Sequence, residues 1–127
     1  INLIQELTVQ MSLASLFISH DISTLRYICN RIAIMYLGKI VEIGPIDEVI
    51  NKAFHPYTQL LISAIPVPDP ESKRRRIILG GEVPSPIDVP EGCRFVTRCN
   101  QVIHRCKIEE PEEIEVGKNH YVWCHKI

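Results

Sequence analysis

Apolar positions along this chain fall into short groups whose spacing changes from element to element. Ile1, Ile4 and Leu7 recur at helical spacing, which predicts a helix over about residues 1–10 with one apolar face. No capping residue precedes it, so it reads as a helix entered midway and the sequence as the C-terminal piece of something longer. Leu13-Ala14-Ser15-Leu16-Phe17-Ile18 is nearly continuous in apolar residues, which predicts a strand buried on both faces of a parallel sheet. Asp21 then caps a short helix through about Asn30, with Ile22, Leu25, Ile28 and Cys29 facing inward. Arg31–Leu37 and Ile40–Ile43 flank Gly38-Lys39, and a two-residue loop that starts with glycine predicts a type II′ hairpin. Gly44-Pro45 ends the hairpin and Ile46–Ala53 reads as helix. Pro56 opens a further helix at its first turn, where no donor is lost. Its stripe is Tyr57, Leu60, Leu61, Ala64 and Ile65, and Pro66 stops it.

From Pro66 to Ser72 the text is "PVPDPES", three prolines in seven residues, which predicts a stiff linker and a domain boundary. Beyond it Gly80-Gly81, Pro84, Pro86 and Pro90 punctuate the chain and regular elements are short. "EEIEVG" and "HYVWCH" can pair as a small hairpin across Lys118-Asn119. The fold class is therefore α/β: a buried strand, a β-hairpin and helices, followed by a small, irregular, cysteine-containing extension.

Composition narrows the function classes. A chain of 127 residues with 46% hydrophobic and 23% charged content suits one modest soluble domain. A net charge of -1 gives no global pull toward nucleic acid or anionic lipid. The basic run Lys73-Arg74-Arg75-Arg76 reads as a solvated linker flank. No window reaches the roughly 18 unbroken apolar residues of a membrane span. Without a signal peptide, the expected compartment is the cytoplasm. Five cysteines in a reducing compartment point to metal ligands or inert core thiols.

Two sets of residues carry candidate chemistry. His20 follows the apolar run, and ligands of open α/β sheets bind outside the carboxyl ends of the strands. The plainer reading is a surface or capping histidine. Cys93, Cys99, Cys106 and Cys124 are spaced C-x₅-C-x₆-C-x₁₇-C, wider than the knuckles of structural zinc sites. Four thiolates are also the ligand set of a cubane iron–sulphur cluster, while His104, His120 and His125 keep a mixed zinc site open. Absence of metal, or disulfides as in hyperthermophile proteins, are the other readings. Residues 107–123 would be an excursion that returns Cys124 to the other three, and Cys29 reads as a core thiol.

The stretch "SLFISHDISTLRYICNRIAIMYLGKIVEIGP" resembles the segment of ABC-transporter ATPases that carries the switch histidine. The matching residues are Ser19-His20-Asp21, Asn30-Arg31-Ile32-Ala33-Ile34-Met35 and Gly38 to Gly44. The resemblance implies that residues 1–53 are the C-terminal part of an ATPase domain. It implies that His20 contacts the γ-phosphate of ATP, and a donor aimed at developing phosphoryl charge suits that transfer. No G-x-x-x-x-G-K-[S/T] loop, magnesium-binding acidic strand end or signature motif is present in the sequence. The fragment alone is thus expected neither to bind nor to hydrolyse ATP.

"FHPYTQLLISAI" resembles the His-Pro-Tyr extension of oligopeptide and dipeptide importer ATPases. "GEVPSPIDVPEGCRFVTRC" and "YVWCH" resemble the rest of that tail, giving a His-Pro-Tyr helix over 54–66 and a linker with a four-cysteine extension over 67–127. From the residues alone His55 starts a helix and Tyr57 is a core aromatic. The resemblance implies ATP and magnesium in the complete protein, and a four-iron cluster at Cys93, Cys99, Cys106 and Cys124. It also implies transmembrane permease subunits and a second ATPase subunit as partners, in a homo- or heterodimer. The location would be peripheral, on the cytoplasmic face of the cell membrane and held there through partner subunits. Related ATPases for nickel share parts of this tail. The rival reading is a stand-alone metal-binding interaction module, iron–sulphur or zinc, without ATPase activity.

Overall fold

The computed structural model describes residues 2–65, 85 and 87–127. The expected linker, the basic run and Gly80-Gly81 lie outside the described residues. Helix α1 (Asn2–Gln10) leads to an irregular stretch, then α2 (Ile22–Ile28). Strands β1 (Arg31–Tyr36) and β2 (Lys39–Pro45) are followed by α3 (Ile46–Asn51) and α4 (Pro56–Ser63). The tail adds a 3-10 turn at His104–Lys107 and strands β3 (Glu113–Gly117) and β4 (His120–Trp123). The fold is mixed α/β, as the pattern of the sequence implies.

All four strands join one antiparallel sheet in the order β1-β2-β4-β3. The tail is thus built onto the edge of the first hairpin, with Glu42 opposite Val122 and Ile43 opposite Tyr121. The β3–β4 hairpin forms across Lys118-Asn119 as the sequence suggests, with Asn119 taking the positive φ of 58° that asparagine tolerates. The first hairpin turns one residue earlier than expected. Its central residues are Leu37 and Gly38, both at positive φ (44° and 78°), which is the type I′ signature rather than II′.

β1 alternates strictly, with Ile32, Ile34 and Tyr36 buried. β2 does not: its pairing skips Val41, because Ile34 faces Glu42 while Met35 faces Ile40. A bulged residue resets the side-chain alternation, so consecutive Val41 and Glu42 are both buried. Around this sheet the core gathers Leu25, Ile46, Val49 and, from the tail, Phe95. Phe95 packs edge-on against Tyr36 at 5.1 Å and tilted against Tyr57 at 5.4 Å. The expected stripe of α4 is correspondingly shifted. Pro56, Thr58 and Ile62 are buried, and Tyr57 and Leu61 are half-buried against the core, because the sheet and the tail cover different sides of the helix.

One expected element is absent. Leu13–Ile18 has no regular structure, and only Phe17 packs against the core. Leu16 is 89% and Ile18 94% exposed, so the stretch is not the buried strand expected. A strand buried on two faces needs neighbours on both edges and both sides, and none of the four described strands pairs with this stretch. The apolar face of α1 is open as well, with Leu3, Ile4 and Leu7 exposed.

Candidate functional site

His20 lies in a bend directly before α2, and its side chain is exposed. The loop around it is held by its neighbours. Asp21 accepts hydrogen bonds from the Ser23 N–H (3.0 Å), the Thr24 N–H (3.3 Å) and the Thr24 hydroxyl, capping the helix as the sequence suggests. The Thr24 hydroxyl, then its backbone N–H, hold the Asp21 carboxyl below the usual aspartate range. The Ser19 hydroxyl accepts from the Asp21 N–H at 3.0 Å. Ser19 and Asp21 therefore fix the backbone on either side of His20 and leave its ring open to solvent, where a polar ligand can meet it.

The second cluster is buried, and reading the sequence alone misses it. Glu42 is fully buried on the central strand β2. Its Oε1 accepts from the Phe54 N–H at 3.0 Å and lies 2.8 Å from His120 Nε2, while its Oε2 accepts from the His55 N–H at 2.9 Å. Such pairing is what a buried carboxylate requires. Gly44 makes room for the partner, since a Cβ there would lie 2.9 Å from the His120 ring. His55 caps α4: its Nδ1 accepts the Tyr57 N–H at 3.1 Å, and its ring packs against Phe95 at 5.6 Å. Burial lowers the His55 pKa to about 4. His55 and Tyr57 are therefore structural, as the residues alone suggest. The available signal was Glu42 itself, a lone carboxylate inside "IVEIG" followed two residues later by glycine.

The four tail cysteines occupy one neighbourhood. The Cys93 N–H donates to the Cys106 carbonyl at 2.9 Å, and Cys106 and Cys124 are buried. Burial, reinforced by Cys106, Cys124 and Cys99, pushes the Cys93 thiol up to about 11. Burial is also the main cause raising Cys99 and Cys124, again with contributions from neighbouring thiols. All five cysteines are free thiols. Metal ligation needs thiolates converging on one point. Among the described residues no group of three or more His, Cys, Asp or Glu side chains is arranged to hold a metal ion. Neither an iron–sulphur cluster nor zinc at these cysteines is supported. His104 and His125 do not supplement them: His125 Nε2 bonds the Glu109 carbonyl at 2.9 Å, and His104 is exposed.

No helix among the described residues is long and apolar enough to cross a membrane. Over 98% of its length the chain is 44% identical to the probable peptide ABC transporter ATP-binding protein y4tS of Sinorhizobium fredii. It is 46% identical to the oligopeptide transport ATP-binding protein AppF of Bacillus subtilis, again over 98% of its length. A putative peptide import ATP-binding protein of Brucella ovis is 43% identical over the same share. The chain spans 35% of the first of these proteins and 39% of the other two. Residues 41–106 match the family model described as the oligopeptide/dipeptide transporter, C-terminal region, and they include Glu42, the His-Pro-Tyr helix and three of the four tail cysteines. The chain belongs to that family.

Proposed function

We propose that this chain is the C-terminal part of the ATP-hydrolysing subunit of a peptide-importing ABC transporter. The observation that carries the reading is the 43–46% identity, over 98% of the chain, to proteins named as peptide-transport ATP-binding subunits. The local geometry agrees with it. His20 is exposed on a loop held from both sides, as a donor to a terminal phosphate must be.

In this reading His20 donates to the γ-phosphate of ATP, and Asp21 holds the loop in register without touching the nucleotide. The phosphate-binding loop, the signature motif and the ligands of magnesium belong to the rest of the protein, and nothing in this chain is assigned to the metal. This part alone neither binds nor hydrolyses ATP. The four cysteines carry no step. The partners are transmembrane permease subunits and a second ATPase subunit. They hold the protein on the cytoplasmic face of the membrane, with no nucleic acid involved.

The test is His20→Ala in the assembled transporter. ATP hydrolysis should fall by about 100-fold or more, the usual scale for one donor to developing charge, while nucleotide affinity changes little. A wild-type turnover rate in that variant would refute the role of His20.

A further inference from the structure

Three separate pieces of the chain meet on the polar atoms of the Glu42 side chain. It stands on β2, takes the Phe54 and His55 N–H groups from the start of the His-Pro-Tyr helix, and takes the imidazole of His120 from the tail. Glu42 is fully buried and His120 is 2% exposed, so neither finds water as a substitute partner. Phe54 closes the node, its ring lying edge-on to His120 at 5.4 Å. Gly44, two residues beyond Glu42 on the same strand, gives the imidazole its space. Oε1 is shared: the same oxygen serves the Phe54 N–H and His120.

From this geometry we infer that Glu42 is a latch that couples docking of the tail hairpin to anchoring of the His-Pro-Tyr helix. The physical reason is the cost of a buried carboxylate with too few partners. When β3–β4 leaves the sheet, Glu42 loses His120 and the lid that the hairpin forms. The carboxylate then turns toward water and gives up the two N–H groups that start α4. The reverse also holds. A loosened Phe54–His55 segment leaves Oε2 unpaired and weakens the seat of His120. The two attachments are thus one cooperative event, although His120 and Glu42 stand 78 residues apart in sequence.

Amide hydrogen exchange on the full chain tests the coupling. In His120→Ala the Phe54 and His55 amides should exchange about tenfold faster or more, the scale of one lost hydrogen bond to a charged group, together with the β3–β4 amides. Amides pairing β1 with β2 should keep their wild-type rates. His120→Gln, which retains a donor, should restore much of the protection at Phe54 and His55. Should the alanine variant fail to fold, Glu42→Gln serves instead: it removes one acceptor oxygen and should release the β3–β4 amides. Release of the hairpin in either variant with unchanged protection at Phe54 and His55 would show two independent attachments and overturn the latch. Equal loss in His120→Ala and His120→Gln would overturn it too, because shape rather than the hydrogen bond would then be holding the hairpin.

Discussion

The Nδ1 of His55 can accept the Tyr57 N–H only while it carries no proton, and burial keeps it so by lowering its pKa to about 4. Unfolded, the same ring titrates near the ordinary value of about 6.5. Above that pH both states hold the neutral ring and the contribution to stability is complete. As pH falls toward 4 the unfolded chain takes up a proton that the folded chain refuses, so stability declines through that window by about 3 kcal/mol at most. His55→Asn keeps an acceptor at the helix cap but removes the titration. Urea midpoints of the variant at pH 7.5, 5.5 and 4.5 should therefore vary less than those of the wild type. Identical pH slopes would mean that His55 is not the titrating group. Asp21 works in the same direction lower on the pH scale, its cap being lost as pH falls through its depressed value.

Between elements, close approach is set by glycines as much as by apolar side chains. A Cβ at Gly92 would lie 2.4 Å from the Cys106 carbonyl oxygen, a backbone atom with little freedom to move. Gly92→Ala should cost about 1–3 kcal/mol, as overpacking does, and should break the Cys93–Cys106 hydrogen bond first. A denaturation midpoint within error of wild type would contradict the close contact. The elements themselves were largely legible in sequence. Asp21, Pro56 and the Lys118-Asn119 turn announce α2, α4 and the second hairpin through local chemistry that needs no distant partner. His20 stands out in the sequence because its neighbours form a dense motif, and the structure sets it in the open between Ser19 and Asp21, where its proposed role has still to be tested. Leu13–Ile18 was not legible, because a buried strand is defined by its neighbours rather than by its own residues. Glu42 escaped for a related reason: strict alternation would set it on the face opposite Val41, and only the bulge buries both. The cysteine spacing suggested convergence, and the thiols do share a neighbourhood, but spacing alone does not show whether sulphurs aim at one point.

Across the molecule the tail is held by an aromatic wedge as well as by a strand. Phe95 is 1% exposed and touches Tyr36 of β1, His55 and Tyr57. The neighbouring Arg94 guanidinium donates to the Leu37 carbonyl at the first hairpin's turn. Phe95→Ala should cost about 3–5 kcal/mol, the range for a fully buried aromatic, and should make the region after residue 92 the first to be cut in limited proteolysis. Wild-type resistance there would show that β4 alone carries the docking. The sheet order has a consequence during synthesis. β2 needs β4 as its neighbour, yet His120 follows its partner Glu42 by 78 residues. At about 5–20 residues per second, a ribosome takes about 4–16 seconds to deliver it. Through that interval β2 is a naked strand edge beside the nascent chains of neighbouring ribosomes. A carboxylate in its middle repels an identical edge, and so guards the growing polypeptide against aggregation until β4 arrives.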